Sequence, residues 1–277
     1  MPALAKLRSE RGRMSAMDRR IADYILANAQ LLRDYSSQQL ADALNVSQSS
    51  IVKFAQRLGY KGYPDLKISI TESFARAMAH ETAPAAGDAE AARADVLWRS
   101  KTAAARETRG LTPPTAVEEA ARSLAEAEML FIAGEGVDGE AARSLAARMT
   151  LLGHRAIAQV QPQDLITSLS AAKTGDLLLV ICGHGEGGEW LRACREMKGA
   201  GGRVLVLLRR TGKLSAAADA CLLVAAHDPQ PHVEDLVYEA AMRHLLDDLF
   251  LRIIAGNPRA LDALVANRRR LRDEAAE

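Results

Sequence analysis

Leu177-Leu178-Leu179-Val180-Ile181-Cys182 is six apolar residues in succession, closed by Gly183. A strand with one wet face alternates apolar and polar residues. A run without alternation has to be covered on both faces, as strands of a parallel sheet are by flanking helices. Runs at 129–133, 155–158, 204–208 and 221–224 follow the same rule, separated by stretches of helical character. From residue 129 onward the chain is therefore expected to form an α/β domain whose parallel sheet has helices on both sides. Two helices are expected before it, near 90–109 and 115–127, parted by Pro113-Pro114. Two more close the chain, an amphipathic one over about 233–255 and a basic one after Pro258.

The first 80 residues read as helices throughout. Ser15, with Asp18 three residues on, opens a segment in which Ile21, Tyr24, Ile25 and Leu26 recur at helical spacing. Ser36 and Gln39 form a capping-box pair ahead of Leu40, Ala41, Ala43 and Leu44. Asn45 follows, a residue that tolerates the left-handed conformation in which many helices end. Ser47 is placed to cap a third helix carrying Ile51, Phe54, Ala55 and Leu58, which stops at Gly59. Pro64 suits the first turn of a fourth helix, where its missing N–H would have no partner in any case. Ala83-Pro84-Ala85-Ala86-Gly87-Asp88 is small and carries both helix breakers. Residues 81–92 are thus expected to link an N-terminal domain, 1–80, to a C-terminal domain, 93–277.

A chain of 277 residues, 48% hydrophobic and 26% charged, has the material for two ordinary packed domains. Its net charge of +1 conceals a division: 12 Lys and Arg stand against 7 Asp and Glu in residues 1–80, and 24 against 28 in the rest. A basic front suits a polyanion and an acidic back suits some other task. Cys182, Cys194 and Cys221 form no CxxC motif, and no secretory signal is recognisable. A reducing cytoplasm is the expected compartment. No apolar run approaches the roughly 18–20 residues needed to span a bilayer, so no membrane partner is expected.

Reading DNA with a helix pair needs apolar faces that fix the crossing angle and small polar or basic residues on the exposed face of the second helix. Leu40, Ala41, Leu44, Val46, Ile51 and Leu58 supply the first requirement. Ser47, Gln48, Ser49, Ser50 and Lys53 supply the second, at the N-terminal end of the helix, where base edges are met. Gln48 can pair with adenine through two hydrogen bonds, and the serines can reach bases or phosphates. Lys53, Arg57, Lys61 and Lys67 are candidates for backbone phosphates, a contribution that falls as salt rises. The plainer alternative is a helical bundle with a solvated polar face.

Leu40-Ala41, Val46-Ser47, Ile51-Val52-Lys53-Phe54-Ala55, Leu58-Gly59-Tyr60 and the string from Lys61 to Lys67 form a long, gap-free pattern. Together with Arg20-Ile21-Ala22-Asp23-Tyr24-Ile25, it resembles the N-terminal domain of the RpiR family of bacterial regulators. That resemblance implies a winged or extended helix-turn-helix that binds double-stranded operator DNA as a homodimer or homotetramer. It also places the loop from Gly59 to Tyr63 close to the DNA backbone, adding Tyr63 to the expected contacts.

The order of elements over about 115–255 resembles the sugar-isomerase (SIS) domain of the same family. The resemblance implies a flavodoxin-like, five-stranded parallel sheet with ligand loops at the C-terminal strand ends. No cofactor is expected, and a regulator is the expected function, with a phosphosugar isomerase carrying a fused regulatory segment as the alternative. Typical members hold a phosphosugar with a Gly-x-Gly-x-Ser loop and a Ser-x-Ser-Gly-x-Thr loop, whose hydroxyl and N–H donors suit phosphate. Here Gly134 and Gly136 stand, but Asp138 takes the serine place. Cys182, His184 and Gly187 replace Ser, Ser and Thr, leaving only Gly185. An ionised Asp138 would repel a phosphate dianion by about 1–4 kcal/mol, depending on the effective dielectric. Gly134, Glu135, Gly136, Asp138, Cys182, His184, Gly185, Gly187 and Glu189 are the candidate effector residues, with Glu186 beside them. A retained phosphosugar site, an altered effector site and a purely dimerising domain all remain open at this level.

Other patterns carry less. Gly134, Gly136 and Gly139 spell G-x-G-x-x-G, but the acidic residue that a dinucleotide site needs about 20 positions on is not placed. Cys182-Gly183-His184-Gly185-Glu186 lacks partners at any metal or nucleophile spacing. His227, Asp228 and His232 read as a polar loop, and Glu234 as a residue favouring a helix N-terminus. Arg268, Arg269, Arg270 and Arg272 read as a solvated helix face.

Overall fold

The computed structural model describes residues 3–29, 32, 35–81, 89–183, 187–228 and 230–274. They fall into two compact units, one made of 1–111 with 225–237 and the other of 112–224 with 238–277.

The first unit is helical. Helix α1 spans Ala3–Glu10, and a 3-10 turn at Arg11–Arg13 leads to α2, Ala16–Ala27. Helices α3, Ser37–Leu44, and α4, Gln48–Arg57, are followed by α5, Tyr63–Glu81, and α6, Ala89–Leu111. The expected caps are present: Ser15 Oγ accepts from the Asp18 N–H at 3.1 Å, and Ser36 and Gln39 form the reciprocal capping box. Asn45 adopts φ 51°, which turns the chain out of α3. Leu4, Leu7, Ile21, Ile25, Leu32, Leu40, Ile51, Phe54, Leu66 and Ile70 form one buried core. Helix α1 contributes Ala3, Leu4 and Leu7 to that core; the sequence implies helical character here, but no bounds for this helix. Helix α6, expected with the second domain, groups with the first. Thr108 on α6 accepts at Oγ1 from the Ala225 N–H at 3.0 Å, which explains part of that grouping. The expected linker includes 82–88, outside the described residues.

The second unit is an α/β sandwich. Helix α7, Pro114–Glu126, leads into β1, Leu130–Ala133, α8, Val137–Leu151, and β2, Ala156–Gln159. Helix α9, Pro162–Leu169, β3, Leu177–Cys182, α10, Gly188–Gly199, and β4, Arg203–Leu208, come next. The last part holds α11, Lys213–Ala217, β5, Ala220–Leu223, α12, Pro231–Gly256, and α13, Pro258–Glu274. The boundary between the units falls inside α12, after Val237.

All five strands run parallel in the order β2-β1-β3-β4-β5, the doubly wound, flavodoxin-like order that the resemblance implied. The unbroken apolar run of β3 is buried at all six positions, as its composition requires. The edge strand β5 is blunted by a side chain. Thr112 Oγ1 donates to the Leu223 carbonyl at 2.9 Å and accepts from the Leu223 N–H at 2.8 Å. One hydroxyl thereby satisfies both backbone groups of a residue that has no neighbouring strand on that side.

Candidate nucleic-acid interface and the switch-point crevice

Helix α4 is built with two unlike faces. Ile51, Phe54 and Ala55 are fully or almost fully buried against α2, α3 and α5, whereas Ser47, Gln48, Ser49 and Lys53 are exposed and Ser50 is half-buried. Ser47 Oγ accepts from the Ser50 N–H at 3.3 Å and lies 2.9 and 2.8 Å from the hydroxyls of Ser49 and Ser50. The first turn is therefore ringed with hydroxyls on its open side. The Gln48 amide donates to Ser37 Oγ at 2.8 Å, bridging the starts of α4 and α3. The bond is exposed, so it competes with water.

Two arginines lock the pair of helices onto α2. Arg20 donates to the Leu44 carbonyl, closing the C-terminus of α3. Arg57, at the end of α4, pairs with the buried Asp18 carboxylate at the start of α2. Arg57 itself is exposed, and its guanidinium, expected on a phosphate, is paired with Asp18. Lys53 and Lys61 are exposed and Lys67 is half-buried; the Lys61 N–H is taken by Asp65 Oδ2 at 2.9 Å. Tyr63 departs from expectation. It is 3% exposed, and its hydroxyl donates to the Tyr35 carbonyl at 3.1 Å. Its ring is a core residue at the first position of α5, because the turn before that helix aims it inward. Sequence reasoning missed Asp18 and Arg20 as the residues that orient the interface; no local pattern marks an ion pair 39 positions apart.

In the second unit the candidate effector residues that are described lie at or beyond the C-terminal ends of β1 and β3, where the strand order reverses. Ligands of doubly wound sheets bind at such a reversal. Glu135 and Gly136 are exposed there and Gly134 is buried. Cys182 is not available to a ligand: it is 8% exposed and belongs to the core cluster with Trp190, Cys194 and Met197. Burial also pushes the Cys194 thiol up to about 11, so it stays protonated at neutral pH. Gly187 caps α10, and Glu189 on that helix is exposed and accepts from Gln163 Nε2 at 3.3 Å. His184, Gly185 and Glu186 lie outside the described residues.

Asp138, expected as an open repulsive charge, is buried and fully engaged. Its Oδ2 accepts from the Gly183 N–H at 2.8 Å and its Oδ1 from the Tyr238 hydroxyl at 2.7 Å. Tyr238 is 3% exposed. Burial first, and then the Asp138 charge, hold the Tyr238 phenol well above its ordinary pKa and keep it a donor. The Arg209 guanidinium lies 5.3 Å from the centre of the Tyr238 ring, on its face.

An α4 surface of this kind and a separate flavodoxin-like domain together define a helix-turn-helix transcription factor with an appended α/β module. Comparison with known proteins narrows the class. The helix-turn-helix domain of the rpiR family matches residues 1–77. The uncharacterized HTH-type transcriptional regulator YfhH of Escherichia coli K12 is 31% identical over 260 residues, 92% of each chain. The chain belongs to the rpiR family of helix-turn-helix transcriptional regulators and is a DNA-binding regulator. The Vibrio vulnificus NanR protein, solved as a complex with ManNAc-6P, shares the fold over 99% of this chain and 100% of its own, with TM-score 0.61 and 23% identity. The sugar isomerase domain of an RpiR transcription factor from Sphaerobacter thermophilus matches 62% of this chain and 96% of its own, with TM-score 0.56 and 20% identity. Those two likenesses establish the SIS fold of the second unit. Among the described residues no helix is long and apolar enough to cross a membrane.

Proposed function

We propose that α4 enters the major groove of a double-stranded operator, with Gln48 and the serines 47, 49 and 50 at base edges and Lys53, Lys61 and Lys67 on phosphates. The exposed polar first turn of a helix whose opposite face is buried carries this reading. In this arrangement Arg57 serves to hold α4 on α2, and Tyr63 anchors α5. The N-terminal helices within 1–80 act as the DNA-binding module, and the α/β unit, which lies within the expected 93–277, acts as the module that pairs copies of the chain and senses a small molecule. The sensed molecule is sugar-derived and sits beyond β1 and β3; the NanR complex supports the class of ligand. Homo-oligomers in the cytoplasm, a dimer or a tetramer, are the working form. The chain performs no isomerisation, since Asp138, Cys182 and Gly187 stand where hydroxyls would hold a phosphosugar substrate.

A gel-shift titration on the protein's own upstream DNA tests the interface. Lys53→Ala is expected to weaken binding to all sequences and to reduce the salt slope by about one counterion. Gln48→Ala is expected to cost about 1–3 kcal/mol on the operator and to relax preference at one base pair. Unchanged affinity and preference in both variants would remove α4 from the interface. A coupled aldose–ketose assay showing turnover would reverse the non-enzymatic reading.

A further inference from the structure

Helix α13 is docked by one face and open on the other. Ala260 and Leu264 are buried, and Asn267 Nδ2 donates to the Leu151 carbonyl at 3.0 Å, which holds the helix against the C-terminus of α8. The outward face is not uniformly polar, as a merely solvated face would be. Leu261 is 48% exposed and Val265, one turn on, is 61% exposed. They share one open surface with Asp262, Ala266, Arg269 and Arg270. Spacings of three and four residues put these side chains on a single stripe of the helix. Aliphatic side chains left in water on a helix that is otherwise docked mark a surface with a partner.

The charges on the stripe indicate which partner. Asp262 and Arg269 stand at equal distances on either side of the apolar pair Val265 and Ala266. Let two α13 helices pack antiparallel about a two-fold axis that passes between Val265 and Ala266. Each residue then meets the one equally far beyond the axis. Asp262 of one copy faces Arg269 of the second, and symmetry repeats the pair, each about 5 Å along the helix from the axis. Val265 faces Ala266 of the second copy, a small pair that lets the helix axes approach to about 8–10 Å. The Arg270 stem lies across Leu261 of the second copy and covers it while its charge stays in water. Within its own chain Arg269 reaches Asp273 at 3.9 Å, and both side chains are largely exposed, so that this pairing holds the guanidinium only weakly. Nucleic acid suits the same face poorly. Asp262 and Asp273 bring the wrong sign for a phosphate chain among arginines 268, 269, 270 and 272.

We infer that the outward face of α13, centred on Val265 and Ala266, is the surface by which two copies of the chain pair, antiparallel about a two-fold axis, with Asp262 and Arg269 as reciprocal ion pairs across it. The inference rests on the reading that the second unit pairs copies of the chain, and it names the surface. Such an interface is isologous, so one substitution alters it at two places.

Sedimentation of the full-length protein over a range of concentrations tests the pairing. Asp262→Arg sets like charges against Arg269 of the second copy, and Arg269→Asp sets them against Asp262. Each variant is expected to raise the dissociation constant of the pair at least about 10-fold, turning dimers into monomers, or tetramers into dimers, where the wild type is assembled. Mixed in equal amounts, the two variants again oppose unlike charges at both places, and so does the chain carrying both substitutions. The mixture and the double variant are both expected to recover the wild-type mass. Recovery on mixing also shows that each single variant folds. Wild-type assembly in both single variants moves the interface off α13 and leaves pairing by the second unit standing. If Arg269→Asp then binds non-specific DNA more weakly, the arginines belong to phosphates instead. Lost assembly that neither the mixture nor the double variant restores overturns the opposition of Asp262 and Arg269. A wild type that stays monomeric at every concentration overturns the pairing reading itself, and this surface with it.

Discussion

Tyr63 shows how a single residue changes meaning between sequence and fold. Set between Lys61, Gly62 and Pro64, it reads as part of a basic loop that touches phosphate, yet its phenol is sealed in the helical core. Burial pushes its pKa up to about 12, against about 10 for an exposed tyrosine. The neutral form is the one the fold accepts. The stability this burial contributes is therefore fully present below about pH 10 and is lost as the pH rises through about 12. Tyr63→Phe keeps the ring and removes the proton. It is expected to cost about 1 kcal/mol at neutral pH, the bond to the Tyr35 carbonyl. That deficit should shrink as denaturation is repeated toward pH 12. A deficit independent of pH would mean that Tyr63 ionises freely. Asp138 carries the same lesson in the other direction: the sequence marks it as out of place in a phosphate loop, but the bonds that explain it reach 45 and 100 positions along the chain.

At the level of elements, local chemistry was legible and distant chemistry was not. The caps at Ser15, Ser36 and Ser47, the left-handed Asn45 and the five apolar runs each depend on neighbours within a few residues, and all are present in the structure. The assignment of α6 to the first unit and the blunting of β5 by Thr112 are not written locally, because Thr112 and Leu223 are 111 residues apart. The bounds of the short α1 were not legible, because eight residues with Ala3, Leu4 and Leu7 buried make too little periodicity to delimit a helix. Within the helix-turn-helix, the turn between α3 and α4 is where a substitution should be felt. Ser47→Ala removes the acceptor for the Ser50 N–H and is expected to cost about 1 kcal/mol. Asn45→Gly should be close to neutral, because φ 51° suits glycine, whereas Asn45→Val places a branched side chain in a region it strongly disfavours. Urea denaturation of the three variants should rank them Gly least harmful and Val most. A valine variant as stable as the wild type would show that this turn does not set the crossing of the two helices.

For the whole molecule, charge and affinity argue for action in pairs. Residues 1–80 carry an excess of five positive charges, a modest attraction for a polyanion and one that salt screens. One helix with a polar first turn reads only a few base pairs, so specificity sufficient for an operator requires two copies on two half-sites. Geometry then makes a demand that chemistry alone does not. Half-sites must face the same side of the duplex, about one helical turn apart or a multiple of it. Inserting about 5 base pairs between them turns one half-site to the opposite face, while about 10 restores it. Linking two weak contacts raises avidity by roughly 100-fold or more, and that gain is lost when both cannot be engaged at once. Footprinting on spacer variants should thus show strong, weak and again strong protection as the spacer grows through one turn, with the natural length among the strong ones. Protection that ignores the spacer would mean that each copy binds alone, and the pairing assigned to the second module would have to be abandoned while the groove contacts of α4 stood.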